Sequence, residues 1–120
     1  ILPNKVNLSD AINQWGNIAA LTYGFYSNDT DLIRRSMTDY IIEPVRSKLI
    51  PGYHDVKNIA IENGAIGCSI SGSGPSIFAL CKTEDISKKV VSKMENVLDD
   101  LSINYHSYIS SINNQGIEVL

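Results

Sequence analysis

Apolar residues recur at helical spacing in the first third of the chain, which predicts two consecutive helices. The first helix covers about residues 8–26, and the polar run at 27–30 separates it from the second. The second should end near Glu43, because Pro44 disfavours helical geometry in the residue before it. Their apolar faces comprise Leu8, Ala11, Ile12, Trp15, Ile18 and Ala19, then Leu32, Ile33, Ser36, Met37, Tyr40 and Ile41.

The rest of the chain predicts a mixture of helices and short strands. The predicted elements are a helix over about 53–63 that ends at Gly64, strands over about 66–71 and 76–81, a helix over about 85–101, and strands over about 103–112 and 117–120. The run 76–81 lacks polar alternation, so we expect this strand to be covered on both sides at the centre of a sheet.

This order of elements predicts the α+β class, because helices and strands do not alternate as regular βαβ units. The two strands between 66 and 81 are close enough to form a hairpin, hence antiparallel pairing. We therefore predict one domain over residues 1–120, with a small, largely antiparallel sheet of about four strands and helices packed on one face.

Composition excludes several classes of function. The formal net charge is −3 and no basic stripe is present, which argues against nucleic acid as a partner. No apolar run approaches the roughly 20 residues that span a bilayer, and no signal peptide is recognisable. His54 and His106 have no neighbouring ligand cluster, so we expect no metal site.

The two cysteines, Cys68 and Cys81, lie inside apolar strand-like runs and are expected to be buried free thiols in a reducing cytoplasm. The chain begins with Ile1, Leu2 and Pro3, from which we expect it to start partway through a longer protein.

The most informative stretch is the glycine-rich bend at 71–74, which consists of Ser71, Gly72, Ser73 and Gly74. Backbone amides in such a bend lack a Cβ beside them and can form a concavity for phosphate or carboxylate oxygens. A hairpin turn that uses glycine for positive φ, with Pro75 restarting the strand, explains the same residues. The Walker phosphate loop does not fit, because no lysine is present and a strand follows.

Arg46 is the second candidate, because it follows Pro44 on a segment that Pro51 also stiffens. Its planar guanidinium suits a carboxylate held by two parallel hydrogen bonds. A surface arginine paired with Glu43 or Asp39 is the alternative, and those two carboxylates should share a helical face as ordinary polar residues.

Residues 64–82 resemble the third sequence motif of the GHMP kinases, a superfamily of small-molecule kinases. The resemblance implies a ferredoxin-like C-terminal domain in which Gly72, Ser73 and Gly74 face the ATP phosphate loop. It also implies that an N-terminal domain, not contained in this chain, supplies that loop and binds most of the ATP and Mg²⁺.

The run 43–46, with Leu49, Ile50 and Pro51 behind it, is similar to the homoserine kinase family within that superfamily. This resemblance implies that Arg46 binds the α-carboxylate of L-homoserine, whose hydroxyl receives the γ-phosphoryl group of ATP to give O-phosphohomoserine for threonine synthesis. It implies a cytoplasmic enzyme and leaves a homodimer open.

No residue of this chain is expected to be a catalytic acid, base or nucleophile, since Ser71, Ser73 and Ser76 have no histidine at motif-like spacing. We therefore expect the chain to be inactive by itself. Two alternatives stay open: another GHMP kinase, or a free-standing amino-acid-binding regulatory module.

Overall fold

The computed structural model describes residues 1–116, so the predicted final strand at 117–120 lies outside the described residues. The elements are α1 (Leu8–Ser27), α2 (Thr30–Ser36), α3 (Glu43–Arg46), a 3₁₀ turn (Ser47–Leu49), α4 (Tyr53–Glu62), β1 (Gly67–Ile70), β2 (Ile77–Leu80) and α5 (Glu84–Asp100). The α+β class is confirmed.

Helices α1 and α2 pack against each other. Asn28 adopts the left-handed conformation that ends α1, and the carboxylate of Asp29 accepts hydrogen bonds from the first amides of α2. Gly24 allows the two helices to approach, because a Cβ there would lie 3.0 Å from Ile33 Cγ1. The polar break predicted at 27–30 is thus confirmed as the connection between the helices.

The second helix ends at Ser36, and its predicted extension to Glu43 is wrong. The carboxylate of Asp39 accepts hydrogen bonds from the amides of Ile41, Ile42 and Glu43, and so caps the turn that leads into α3, whose own N-cap position is Ile42. Pro44 lies in the first turn of α3, where its missing N–H costs nothing, and therefore opens a helix instead of ending one. Asp39 and Glu43 consequently do not share a helical face.

The predicted hairpin is confirmed, with β1 and β2 antiparallel and Cys68 opposite Ala79. The main core lies between the hairpin, α4 and α5, and its fully buried members are Ala60, Ala65, Cys68 and Val90. Gly64 ends α4 with a φ of 109°, as predicted. The opposite face of β1 receives Met37, because the absence of a side chain at Gly67 leaves room for it.

The sheet of the described residues has two strands, so the expectation of about four is not confirmed. The predicted strand at 103–112 has no regular secondary structure, and that prediction is wrong. Residues of this segment and of β2 line a common cavity of about 650 Å³, and no ladder joins them. The central position expected for β2 is not observed either, since Phe78 is 42% exposed.

The bounds of α1 agree with the sequence pattern, but of its predicted apolar face Ala11 is buried and the large side chains are exposed. Leu8, Ile12, Trp15 and Ile18 are between 54% and 69% exposed. The opposite, more polar side of α1 makes the contacts: Gln14 accepts a hydrogen bond from the amide of Tyr40, and Asn17 donates one to the carbonyl of Thr38. An amphipathic pattern predicts which side is apolar, not what covers it. Among the described helices, none combines the length and the apolar character that crossing a membrane requires.

Candidate functional site

Arg46 is the last residue of α3, a single turn whose direction is set at both ends. Asp39 caps the turn that leads into α3, and the 3₁₀ turn Ser47–Leu49 continues from the C-terminal side. The residue as a whole is half-buried, in a segment with Pro44 before it and Pro51 after it. The local sequence thus fixes the point from which the guanidinium extends.

The structure brings Arg46 and the 71–74 bend together. Arg46 Nη1 donates a hydrogen bond of 2.7 Å to the carbonyl oxygen of Ser73, across 27 residues of sequence. The alternative in which Arg46 pairs with Glu43 or Asp39 is not observed, because Glu43 pairs with Lys57 and Asp39 accepts backbone amides. Both sequence-derived candidates therefore lie side by side in the structure.

The bend itself is a closed turn with exposed amides. The amide of Ser71 donates to the carbonyl of Ser76 at 2.8 Å, and that of Gly74 donates to the carbonyl of Ser71 at 3.1 Å. Within residues 1–116, the amides of Gly72 and Ser73 donate to no backbone carbonyl. The interpretation of the bend as the turn of the hairpin is confirmed, and the binding of an anion by its two remaining amides stays a prediction.

Two glycines shape this bend for different reasons. Gly72 has a φ of 59° with open space around it, so it is needed for the backbone conformation alone. Gly74 has a φ of 79°, and a Cβ there would lie 3.1 Å from Ile50 Cδ1. Since Ile50 follows the turn that carries on from Arg46, the segment of the arginine and the bend touch at a second point.

A polar cluster lies behind α3, and sequence reasoning missed it. Glu43 Oε1 pairs with Lys57 Nζ at 2.5 Å, and Glu43 Oε2 accepts a hydrogen bond of 3.2 Å from the hydroxyl of Ser69. Tyr53 is 1% exposed beside them. No sequence pattern links positions 43, 57 and 69, because they come from α3, α4 and β1.

Burial dominates the electrostatics of this cluster. Loss of solvent raises the pKa of Tyr53, and the neighbouring carboxylate of Glu43 raises it further. Burial also raises the pKa of Cys68 to about 11, while Lys57 opposes that change. Cys68 is therefore a neutral thiol at physiological pH. Both cysteines are free, but the burial predicted for both holds for Cys68 alone, because Cys81 is partly exposed.

In the part of the chain that the structure describes, no three histidine, cysteine or acidic side chains are grouped as metal ligands would be. Arg46 is the charged residue in contact with the bend, and Glu43 and Lys57 form the ion pair of the polar cluster. This arrangement can bind anionic groups and orient them, but the described residues show no pairing of a nucleophile with a base.

Comparisons with known proteins give consistent results. The family described as "GHMP kinases C terminal" matches residues 20–100. The homoserine kinases of Chlorobium phaeobacteroides strain BS1 and Chlorobaculum tepidum are 44% and 39% identical to this chain in alignments that cover all of it. The crystal structure of the homoserine kinase from Cytophaga hutchinsonii superposes with a TM-score of 0.94 at 51% identity over 97% of the chain.

The chain is much shorter than these relatives. It spans 38% of the length of the two curated sequences and 37% of the crystallised chain.

Proposed function

This chain belongs to the family of GHMP kinase C-terminal domains, and on that premise we propose that it is the substrate-binding C-terminal part of a homoserine kinase. The complete enzyme transfers the γ-phosphoryl group of ATP to the side-chain hydroxyl of L-homoserine and releases O-phosphohomoserine, an intermediate of threonine synthesis. The names of the relatives, which match the whole length of the chain, support this proposal.

The contact between Arg46 and the 71–74 bend is the observation that carries the proposal. A guanidinium has five N–H donors, and the contact with Ser73 engages Nη1 alone. The remaining donors can hold the α-carboxylate of homoserine through two parallel bonds, which a lysine could not do. The bond to Ser73 keeps the guanidinium beside the bend, so the carboxylate and the reacting end of the substrate are held in a fixed relation.

The 71–74 bend contributes at the phosphate end of the site. The amides of Gly72 and Ser73 fit phosphate oxygens, because each can donate to an anion without a side chain intervening. Among the described residues, no three histidine, cysteine or acidic side chains are clustered in a way that could hold Mg²⁺. We therefore assign the metal and most of the ATP contacts to the N-terminal domain. ATP would supply the phosphoryl group, and Mg²⁺ would neutralise its charge.

Phosphoryl transfer depends mainly on positioning and charge stabilisation, so a domain that orients the acceptor is a sufficient role for this chain. Arg46 fixes the acceptor, and the bend limits where its hydroxyl can lie. We infer that the chain alone is inactive, because both substrates need groups from the N-terminal domain. The exposed apolar face of α1, formed by Leu8, Ile12, Trp15 and Ile18, suits contact with that domain.

The test is a substrate panel with the full-length enzyme. We expect ATP-dependent phosphorylation of L-homoserine, with mevalonate and galactose at least about 100-fold poorer in kcat/KM. Galactose has no carboxylate for Arg46 to bind, and mevalonate has no α-amino group and carries its carboxylate one carbon farther from the phosphorylated hydroxyl. Preference for mevalonate or galactose would assign the chain to another GHMP kinase. Tight binding of an amino acid to this chain alone, measured by calorimetry, would favour a free-standing regulatory module.

A further inference from the structure

Glu43 is the most enclosed charged residue near the site, and the binding scheme above gives it no role. It is the first residue of α3, three positions before Arg46. Its side chain is 12% exposed, and that of its partner Lys57 is 23% exposed. A carboxylate in such a place is costly unless its oxygens are paired, and both are: one with Lys57, the other with Ser69.

These contacts connect α3 to α4 and to β1. Lys57 belongs to α4, and Ser69 belongs to β1, which leads directly into the 71–74 bend. Tyr53 completes the surroundings, with its ring 5.9 Å from Lys57 Nζ. Its buried hydroxyl makes no hydrogen bond of ordinary geometry among the described residues, but it lies close enough to the carboxylate of Glu43 for that charge to raise its pKa.

Helix α3 needs this external support because it is only four residues long. So short a helix has little stability of its own, and tertiary contacts must set its direction. The side chain of its first residue is anchored to α4 and β1, and the side chain of its last residue reaches Ser73. A rotation of α3 about its own axis would break both sets of contacts at once.

We propose that Glu43 is a positioning residue, which holds Arg46 against the 71–74 bend through its ion pair with Lys57 and its hydrogen bond from Ser69. The inference rests on the proposed function, since it concerns the same carboxylate-binding arginine. Glu43 touches no substrate in this scheme; it acts by fixing the helix that carries Arg46.

The test uses steady-state kinetics of the full-length enzyme with Glu43→Gln, Lys57→Met and the double variant. We expect each single variant to raise the KM for homoserine by about tenfold, because a misplaced binding group loses affinity steeply with distance. The KM for ATP should change less than about twofold. The double variant should resemble the singles, because both changes remove the same ion pair. Glu43→Asp should recover part of the affinity.

A matched control is available in α5, where Glu84 and Lys88 form an exposed ion pair at 2.7 Å. Glu84→Gln and Lys88→Met should leave both KM values unchanged. Ser69→Ala removes only the weaker contact of Glu43 and should raise the KM for homoserine by roughly threefold, which keeps the proposal testable if Glu43→Gln fails to fold.

Two outcomes would overturn the inference. A lower Tm with an unchanged homoserine KM would mean that the cluster serves stability alone. A large fall in kcat for Glu43→Gln with a normal Lys57→Met enzyme would mean that the carboxylate acts on the substrate directly. If the wild-type enzyme does not phosphorylate homoserine, the proposed function is wrong. The positioning role is then decided by the crystal structure of full-length Glu43→Gln, in which we expect the contact from Arg46 to Ser73 to be lost.

Discussion

The side chain of Arg46 makes one hydrogen bond within the described chain, to the carbonyl of Ser73, and the residue as a whole is half-buried. Replacing it by alanine would remove both a positive charge and two directed donors from the site proposed for the α-carboxylate. Hydrogen bonds to charged groups contribute about 1.5–3 kcal/mol each, so we expect the loss of two of them in Arg46→Ala to raise the homoserine KM by at least about 100-fold. Arg46→Lys should recover only part of this, because an ammonium cannot bond in parallel.

The control for this prediction is Arg35→Ala, which removes an exposed arginine from the last turn of α2. It should leave the KM for homoserine and for ATP within about twofold of the parent enzyme, as expected for a surface substitution. Initial-rate measurements at varied homoserine and fixed saturating ATP separate the two effects. Unchanged homoserine kinetics in Arg46→Ala would exclude this residue from the site.

At the residue scale, the sequence predicts groups whose role follows from local pattern. Arg46 stands out because prolines flank it, and the 71–74 bend stands out because glycine and serine alternate there. The alignment of Glu43 with Lys57 and Ser69 is a different matter, since it arises only when three elements pack together. A polar residue such as Glu43, which has no partner nearby in the sequence, can be either exposed to solvent or buried in an ion pair. The sequence does not distinguish these two environments.

At the element scale, the error in the second helix has a local cause. Tyr40 and Ile41 continue the helical spacing of α2, but Asp39 captures three amides that a continuous helix would need. An aspartate a few residues before a proline is typical of a helix start, and here that signal outweighs apolar periodicity. The errors in the sheet have another cause. The strand predicted at 103–112 and the burial predicted for β2 both depend on which segment lies beside a strand, and local sequence does not specify that neighbour.

The cap by Asp39 gives a prediction at this scale. Asp39→Ala would leave the amides of residues 41–43 without their acceptor and should lower the free energy of unfolding by about 1 kcal/mol, the usual contribution of a helix cap. Urea denaturation of the full-length enzyme, followed by circular dichroism, measures the change. Because α3 carries Arg46, the homoserine KM should rise as well.

Asp39→Asn is the matched control for the cap, since its side-chain oxygen can still accept from Ile41 and Ile42. We expect it to keep most of the stability and of the homoserine affinity. Equal stability of the alanine and asparagine variants would contradict the assignment of Asp39 as the cap of the turn that leads into α3.

At the scale of the whole molecule, several apolar segments are exposed although their sequence pattern predicts burial. The apolar face of α1 is uncovered, Phe78 on β2 is 42% exposed, and residues 103–112 lie across a cavity from β2 without strand pairing. The chain also spans only 38% of the length of its curated relatives. Apolar positions are selected for contacts in the complete protein. A domain considered without its partner domain therefore exposes apolar residues that the complete protein can bury.

This view gives a prediction for Trp15, the single tryptophan of the chain, which is 62% exposed on the apolar face of α1. In the isolated chain, acrylamide should quench its fluorescence at nearly the rate of a solvated indole. In the full-length enzyme, we expect contact with the N-terminal domain to slow that quenching by roughly threefold or more, because burial limits collisions with the quencher. The difference between the parent enzyme and Trp15→Phe isolates this signal from other tryptophans. Equal quenching of Trp15 in both proteins would mean that the domain contact lies elsewhere, and the apolar face of α1 would then need another occupant.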